Sequence, residues 1–141
     1  MVVFELQGRG AIVGIAEGRA LVFPDSIAGN SGALGDLDGV IYEKGSPNYG
    51  ECVDGAIIVI PCSKGSNGFS SHFKSAMISG ICPAGWVATK MDGRLGVAVA
   101  SMNIPAVCDF PEGQDPVTHI KTGDHVRIDG STGKILVTRG K

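Results

Sequence analysis

Between Val2 and Phe23 the chain reads VVFELQGRGAIVGIAEGRALVF, apolar and polar residues alternating around Gly8, Gly10, Gly14 and Gly18. A period of two marks a strand with one covered face, so this segment predicts two or three antiparallel strands. Val3, Leu6, Ile12, Ile15, Leu21 and Phe23 form its apolar set. The pattern dissolves over Pro24–Gly39, PDSIAGNSGALGDLDG, which predicts a loop long enough to suggest a functional one. VIYE at Val40–Glu43 is a candidate strand, and KGSPNYGECVDG returns to turn chemistry. Ala56–Ile60, AIIVI, has no polar position at all, as expected of a central strand covered on both faces, and Pro61 ends it for want of an N–H.

The stretch PCSKGSNGFSSHF follows, then SSHFKSAMISG with Phe69, Phe73, Ala76 and Met77 at helical spacing. This predicts a helix of about three turns with Gly80 as its C-terminal cap. PAGWVAT reads as a strand, and RLGVAVASMNIPAV as a short helix or strand whose apolar run stops at Pro105. TGDHVRIDGSTGKILVTRG predicts two alternating strands joined by the hairpin signal DGSTG. The fold class is therefore mixed α/β. A central strand, Gly/Ser loop and helix unit is flanked by antiparallel strands, and with no linker in view residues 1–141 read as a single domain.

Composition narrows the function classes. With 141 residues and 43% apolar content the chain can bury a real core, and its 22 glycines, scattered without period, look like turn punctuation. Only 18% of residues are charged and the net charge is −2, which argues against nucleic acid or an anionic membrane surface as partner. No apolar run nears the roughly 20 residues of a membrane span, and MVVFELQGRG lacks the features of a signal peptide, so the expectation is a cytoplasmic protein. Cys52, Cys62, Cys82 and Cys108 form no Cys-x-x-Cys pair and adjoin no histidine; a local zinc or iron–sulfur motif is missing. They are expected to be small buried hydrophobes, the alternative being a metal ligand set drawn from distant positions.

The Gly/Ser stretch carries the candidate chemistry. Backbone N–H groups at a helix start lack internal partners and favour a carboxylate or phosphate, and Gly65 and Gly68 allow close approach to the backbone. Ser66, Asn67, Ser70 and Ser71 add donors, although Ser70 or Ser71 as a simple N-cap explains the same pattern. A Walker A loop fails because Lys64 precedes Gly65 with no glycine five positions ahead, and a nucleophile elbow fails because Gly65 directly precedes Ser66. His72, His119 and His125 read as surface or capping residues. A Ser66, His119 and Asp124 triad is conceivable, as in any chain of this size.

Taken in order, EGRALVF, DSIAGNSGALGDLDGVIYEKGSPNYGECVDGAIIVIPCSKGSNGFSS, GICPAGWVAT, AVASMNIPAV and IKTGDHVRIDGSTGKILV resemble the small subunit, or swivelling domain, of the aconitase X family over Gly18 to Val137. The resemblance implies a swivelling β/β/α domain that closes over a large catalytic subunit, with an iron–sulfur cluster on that partner and no cofactor or metal on this chain. It implies a hydro-lyase that dehydrates a small hydroxy acid: mevalonate 5-phosphate in archaeal members, cis-3-hydroxy-L-proline in bacterial relatives. Ser66 matches the family's serine base, with Gly29, Asn30, Ser31, Lys64, Gly65 and Asn67 lining the substrate. SGALGDLDG and the Ser46-Pro47 pair depart from the archaeal pattern and tilt the substrate towards the hydroxyproline type. Two other readings stand beside it: a stand-alone binding or regulatory module without catalysis, and an independent hydrolase using Ser66. Docking on a large subunit also requires an exposed apolar patch, for which Phe69, Phe73, Met102 and Ile104 are candidates, although each suits a core equally.

Overall fold

The computed structural model describes residues 2–23, 40, 50–61, 82–90 and 104–139. These form eight strands and one short helix. The strands are β1 (Val2–Gln7), β2 (Arg9–Ile12), β3 (Ile15–Val22), β4 (Ile57–Ile60), β5 (Gly85–Ala88), β6 (Ala106–Cys108), β7 (His125–Asp129) and β8 (Lys134–Arg139), and α1 spans Pro116–His119. The mixed sheet expected from the sequence is present. The helix expected over Ser70–Gly80 lies outside the described residues.

Strand order in the sheet is β1-β8-β7-β3-β4-β5-β6-β2. One half is antiparallel, β1 to β8 to β7 to β3; β3, β4, β5 and β6 run parallel, and β2 returns antiparallel against β6. β1 and β2 stand at opposite ends of this order, yet Gly8 alone separates them in sequence. The sheet therefore rolls until its two edges meet in one bent strand. The first segment does give three strands, as expected, but they pair with β8, β6, β7 and β4 rather than with one another.

The bend depends on glycine. Gly8 N–H donates to the Gly133 carbonyl (2.9 Å) and Gly130 N–H to the Gly14 carbonyl (2.8 Å), so the β7–β8 turn is laced onto the β1–β3 stretch. A Cβ on Gly10 would overlap the backbone oxygen of Gly130, and one on Gly133, whose φ is 81°, would overlap that of Gly8. The turn is held by Asp129 as well, whose Oδ1 accepts from Ser131 N (2.9 Å) and Ser131 Oγ (2.6 Å).

Alternation along each strand feeds two cores. Inside the roll, Leu6, Val22, Ile57, Val87, Val107 and Ile135 pack together with Ile120, which follows α1. On the other face of the parallel half, Leu21, Phe23, Ile58, Ile60, Trp86 and Cys108 form the second core. β4 is buried at all four positions, which is why it reads as an unbroken apolar run. Each of its side chains contributes at most about 1.5–3 kcal/mol by leaving water. The antiparallel half keeps one face open, so Val3 and Ile15, assigned above to the apolar set, are 57% and 59% exposed on the same side as Glu5 and Glu17.

β6 begins directly after Pro105, whose carbonyl accepts from Trp86 N (3.0 Å), while the preceding stretch RLGVAVASMN lies outside the described residues. A proline lacking an N–H is tolerated at a strand's first residue. Of VIYE, Val40 makes a bridge to Cys52, and the rest lies outside the described residues. Cys52 is exposed and Cys82 half-buried, so only Cys108 of the described cysteines meets the expectation of a buried hydrophobe.

Gly10→Ala is expected to destabilise the fold by about 1–3 kcal/mol, since backbone rather than a movable side chain fills the space a methyl would need. Urea unfolding checks this; a wild-type midpoint would rule out the tight crossing.

Candidate functional site

Parallel strands deliver successive connections to one edge, and in sheets built of parallel strands ligands commonly bind beyond the carboxyl ends of those strands. In this chain those ends are tied into a continuous rim. Phe23 N–H donates to the Val59 carbonyl (2.9 Å), Thr89 to Ile60 (3.0 Å), Lys90 to Pro61 (2.9 Å) and Phe110 to Thr89 (3.3 Å). Phe23, Pro61 and Lys90 consequently stand side by side where β3, β4 and β5 finish.

Every residue assigned to the site from sequence lies outside the described residues: Gly29, Asn30, Ser31, Lys64, Gly65, Ser66 and Asn67. Their points of departure are described. Gly29 comes six positions after Phe23, and Ser66 five after Pro61. Of the patch candidates, Phe69, Phe73 and Met102 also lie outside, whereas Ile104 is half-buried against the second core.

The rim carries polar groups the sequence reading did not single out. Thr89 Oγ donates to Asp115 Oδ1 (2.7 Å), and the same oxygen accepts from Val117 N (3.1 Å), so Asp115 caps α1 and fastens it to the end of β5. The Asp-Pro pair at 115–116 is a helix-start signal that a four-residue helix makes easy to overlook. At the end of β6, Asp109 adopts φ 57° and accepts from Arg9 Nε (2.9 Å) and Nη2. Arg9 Nη2 also lies 3.4 Å from Cys108 Sγ. Burial first, then the negative charge of Asp109, pushes the Cys108 thiol up to about 11, so it stays protonated at neutral pH. Cys82 is raised too, by burial and then by Asp54. A usable signal was available for Thr89 and Asp109, each the first polar position after an apolar strand, the criterion that singled out the stretch after Pro61.

Two further expectations are tested by described residues. His119 Nδ1 sits 2.8 Å from the Asp115 carbonyl, while the His119 carbonyl accepts from Arg139 Nη2 (2.9 Å). Asp124, 5% exposed at its side chain, is held by Arg139 Nε (2.9 Å), Arg139 Nη2 (2.8 Å) and Lys121 N (2.9 Å). Its carboxylate serves Arg139, not His119, so the Ser66, His119 and Asp124 relay is not assembled. Among the described residues no three His, Cys, Asp or Glu side chains gather as a metal site, and the described thiols do not fit an iron–sulfur cluster. No helix among the described residues is long and apolar enough to cross a membrane.

The family model for the aconitase X swivel domain matches residues 5–137, and the chain belongs to that family. A protein of Methanocella arvoryzae named phosphomevalonate dehydratase small subunit is 36% identical over 134 residues, covering 93% of this chain and 97% of the relative. The protein of that name from Methanococcoides burtonii is 30% identical over 136 residues, with 94% and 95% covered. A crystal structure of Thermococcus kodakaraensis aconitase X in its holo form superposes with a TM-score of 0.84 at 24% identity, over 96% of this chain and 98% of that one, which establishes the fold.

The Asp124 carboxyl is held below its ordinary value: burial opposes ionisation, but the hydrogen bonds and charge of Arg139 and the Lys121 N–H outweigh it. A depressed carboxyl stabilises above its unfolded value, about 3.9, and that contribution fades as pH falls through the lower folded value. Stability is therefore expected to drop below about pH 4, with Asp124→Asn less stable at pH 7 and showing a shallower acid limb in thermal melts. Separately, Cys108 should resist iodoacetamide at pH 8 in the native protein while exposed Cys52 reacts; peptide mapping that finds Cys108 alkylated would contradict its burial.

Proposed function

We propose that this chain is the small subunit of a two-subunit dehydratase of the aconitase X type, that its substrate is mevalonate 5-phosphate, and that Ser66 is the base. The observation that supports this best is the rim: β3 and β4 are parallel neighbours in register, Val22 beside Val59, so the segments bearing Gly29–Ser31 and Lys64–Asn67 leave the sheet from adjacent points at one edge. Five residues of chain reach at most about 18 Å, enough for both segments to meet one small molecule. Whole-length similarity to proteins named phosphomevalonate dehydratase small subunit reverses the tilt towards hydroxyproline.

Dehydration removes a carbon-bound proton and expels the neighbouring hydroxyl as water. Ser66 takes the proton, a task for which serine needs its alkoxide stabilised; the backbone N–H groups that follow it and the charge of Lys64 are suited to that. Gly29, Asn30, Ser31, Gly65 and Asn67 orient the substrate beside it. The large subunit supplies the remainder of the site, including the iron–sulfur cluster that the family resemblance implies. A module without catalysis would share this fold, and reconstitution separates the two.

Mixed with a cluster-loaded large subunit, the chain is expected to support dehydration of mevalonate 5-phosphate, and alone to show none. Ser66→Ala should lower turnover at least about 100-fold, the scale of a lost general base, while size-exclusion chromatography still shows the assembled pair. Undiminished turnover in that variant would remove Ser66 from the role.

A further inference from the structure

We infer that Lys90 is a binding residue for the anionic group of the substrate. This rests on the reading above that an anionic hydroxy acid is processed at the rim. The described chain contains seven basic side chains, and six already have a carboxylate. Arg9 pairs with Asp109, Arg19 with Glu51, Arg127 with Glu17, Lys134 with Glu5, and Arg139 with Asp124. Lys121 lies in the field of Asp124. Among the described residues Lys90 alone has no such neighbour, and it is exposed.

Its position gives that charge a use. Lys90 follows β5 at the carboxyl edge, and its N–H is fixed to the carbonyl of Pro61, the residue that leads into Ser63-Lys64-Gly65-Ser66. An ammonium on a four-carbon stem can sweep several ångströms from that anchored backbone. Two carboxylates on the rim are occupied: Asp115 by Thr89 and the α1 cap, Asp109 by Arg9. A phosphate or carboxylate arriving at this edge thus meets a cation with no carboxylate partner among the described residues, anchored to the residue from which the segment bearing Ser66 departs. Once the large subunit excludes water, that attraction strengthens.

Removing one charge-assisted contact of this kind weakens binding roughly tenfold or more. In the reconstituted pair, Lys90→Gln is expected to raise KM for mevalonate 5-phosphate by about that factor with kcat changed little, Lys90→Arg to recover most of it, and Lys121→Gln to match wild type. Thermal stability and pair assembly should be unaffected by Lys90→Gln, because no described contact depends on the side chain. Unphosphorylated mevalonate identifies the anion: a KM rise confined to the phosphorylated substrate assigns the phosphate, and a parallel rise on both assigns the carboxylate. An unchanged KM in an active pair overturns the inference and leaves the dehydratase reading standing. A wild-type pair inert towards both compounds overturns both.

Discussion

The whole structure depends on a backbone crossing too close for any side chain. Where the bent strand formed by β1 and β2 passes the β7–β8 turn, Gly10 lies against Gly130, and Gly133 against Gly8. Without that contact the sheet would stay open, with β1 and β2 as two unpaired edges, a known hazard for aggregation. With it, the edges merge and one face of every strand turns inward. The interior core that contains Leu6, Val107 and Ile135 is a product of this closure.

Closure also divides labour between the two halves. The antiparallel half needs only one dry face, so its outer surface is free to carry ion pairs such as Lys134 with Glu5 and Arg127 with Glu17. Exposed pairs of this sort contribute little to stability. The parallel half is dry on both faces and holds Ile57 to Ile60 and Trp86, which fixes the positions at which its strands end. Rigid strand ends beside one another are what a site assembled from separate segments requires.

Much of this was legible because period-two alternation and unbroken apolar runs report local burial directly. AIIVI announced a doubly covered strand, and DGSTG announced the β7–β8 hairpin. What the sequence concealed is pairing. Nothing local in VVFELQGRGAI says that its first half joins β8 and its second half β6, since both partners lie about a hundred residues or more away. Val3 and Ile15 misled for a related reason: apolar character marks what a residue tolerates, while register decides which face it occupies. The candidate site was legible by its chemistry and family resemblance rather than by contact. Lys90, Asp109 and Arg9 escaped because their meaning comes from strand neighbours.

The ring closes through β1 and β8, where Val2 pairs with Arg139 and Leu6 with Ile135. Those partners are well over a hundred residues apart, so this ladder of the sheet forms across a very long loop. Loop-closure entropy must be met before these contacts return any stabilisation, which places the joining of β1 to β8 late in folding. During synthesis β1 emerges well before β8 and must wait for it. Through that interval its ladder groups lack their native partners, which leaves the nascent chain open to mispairing.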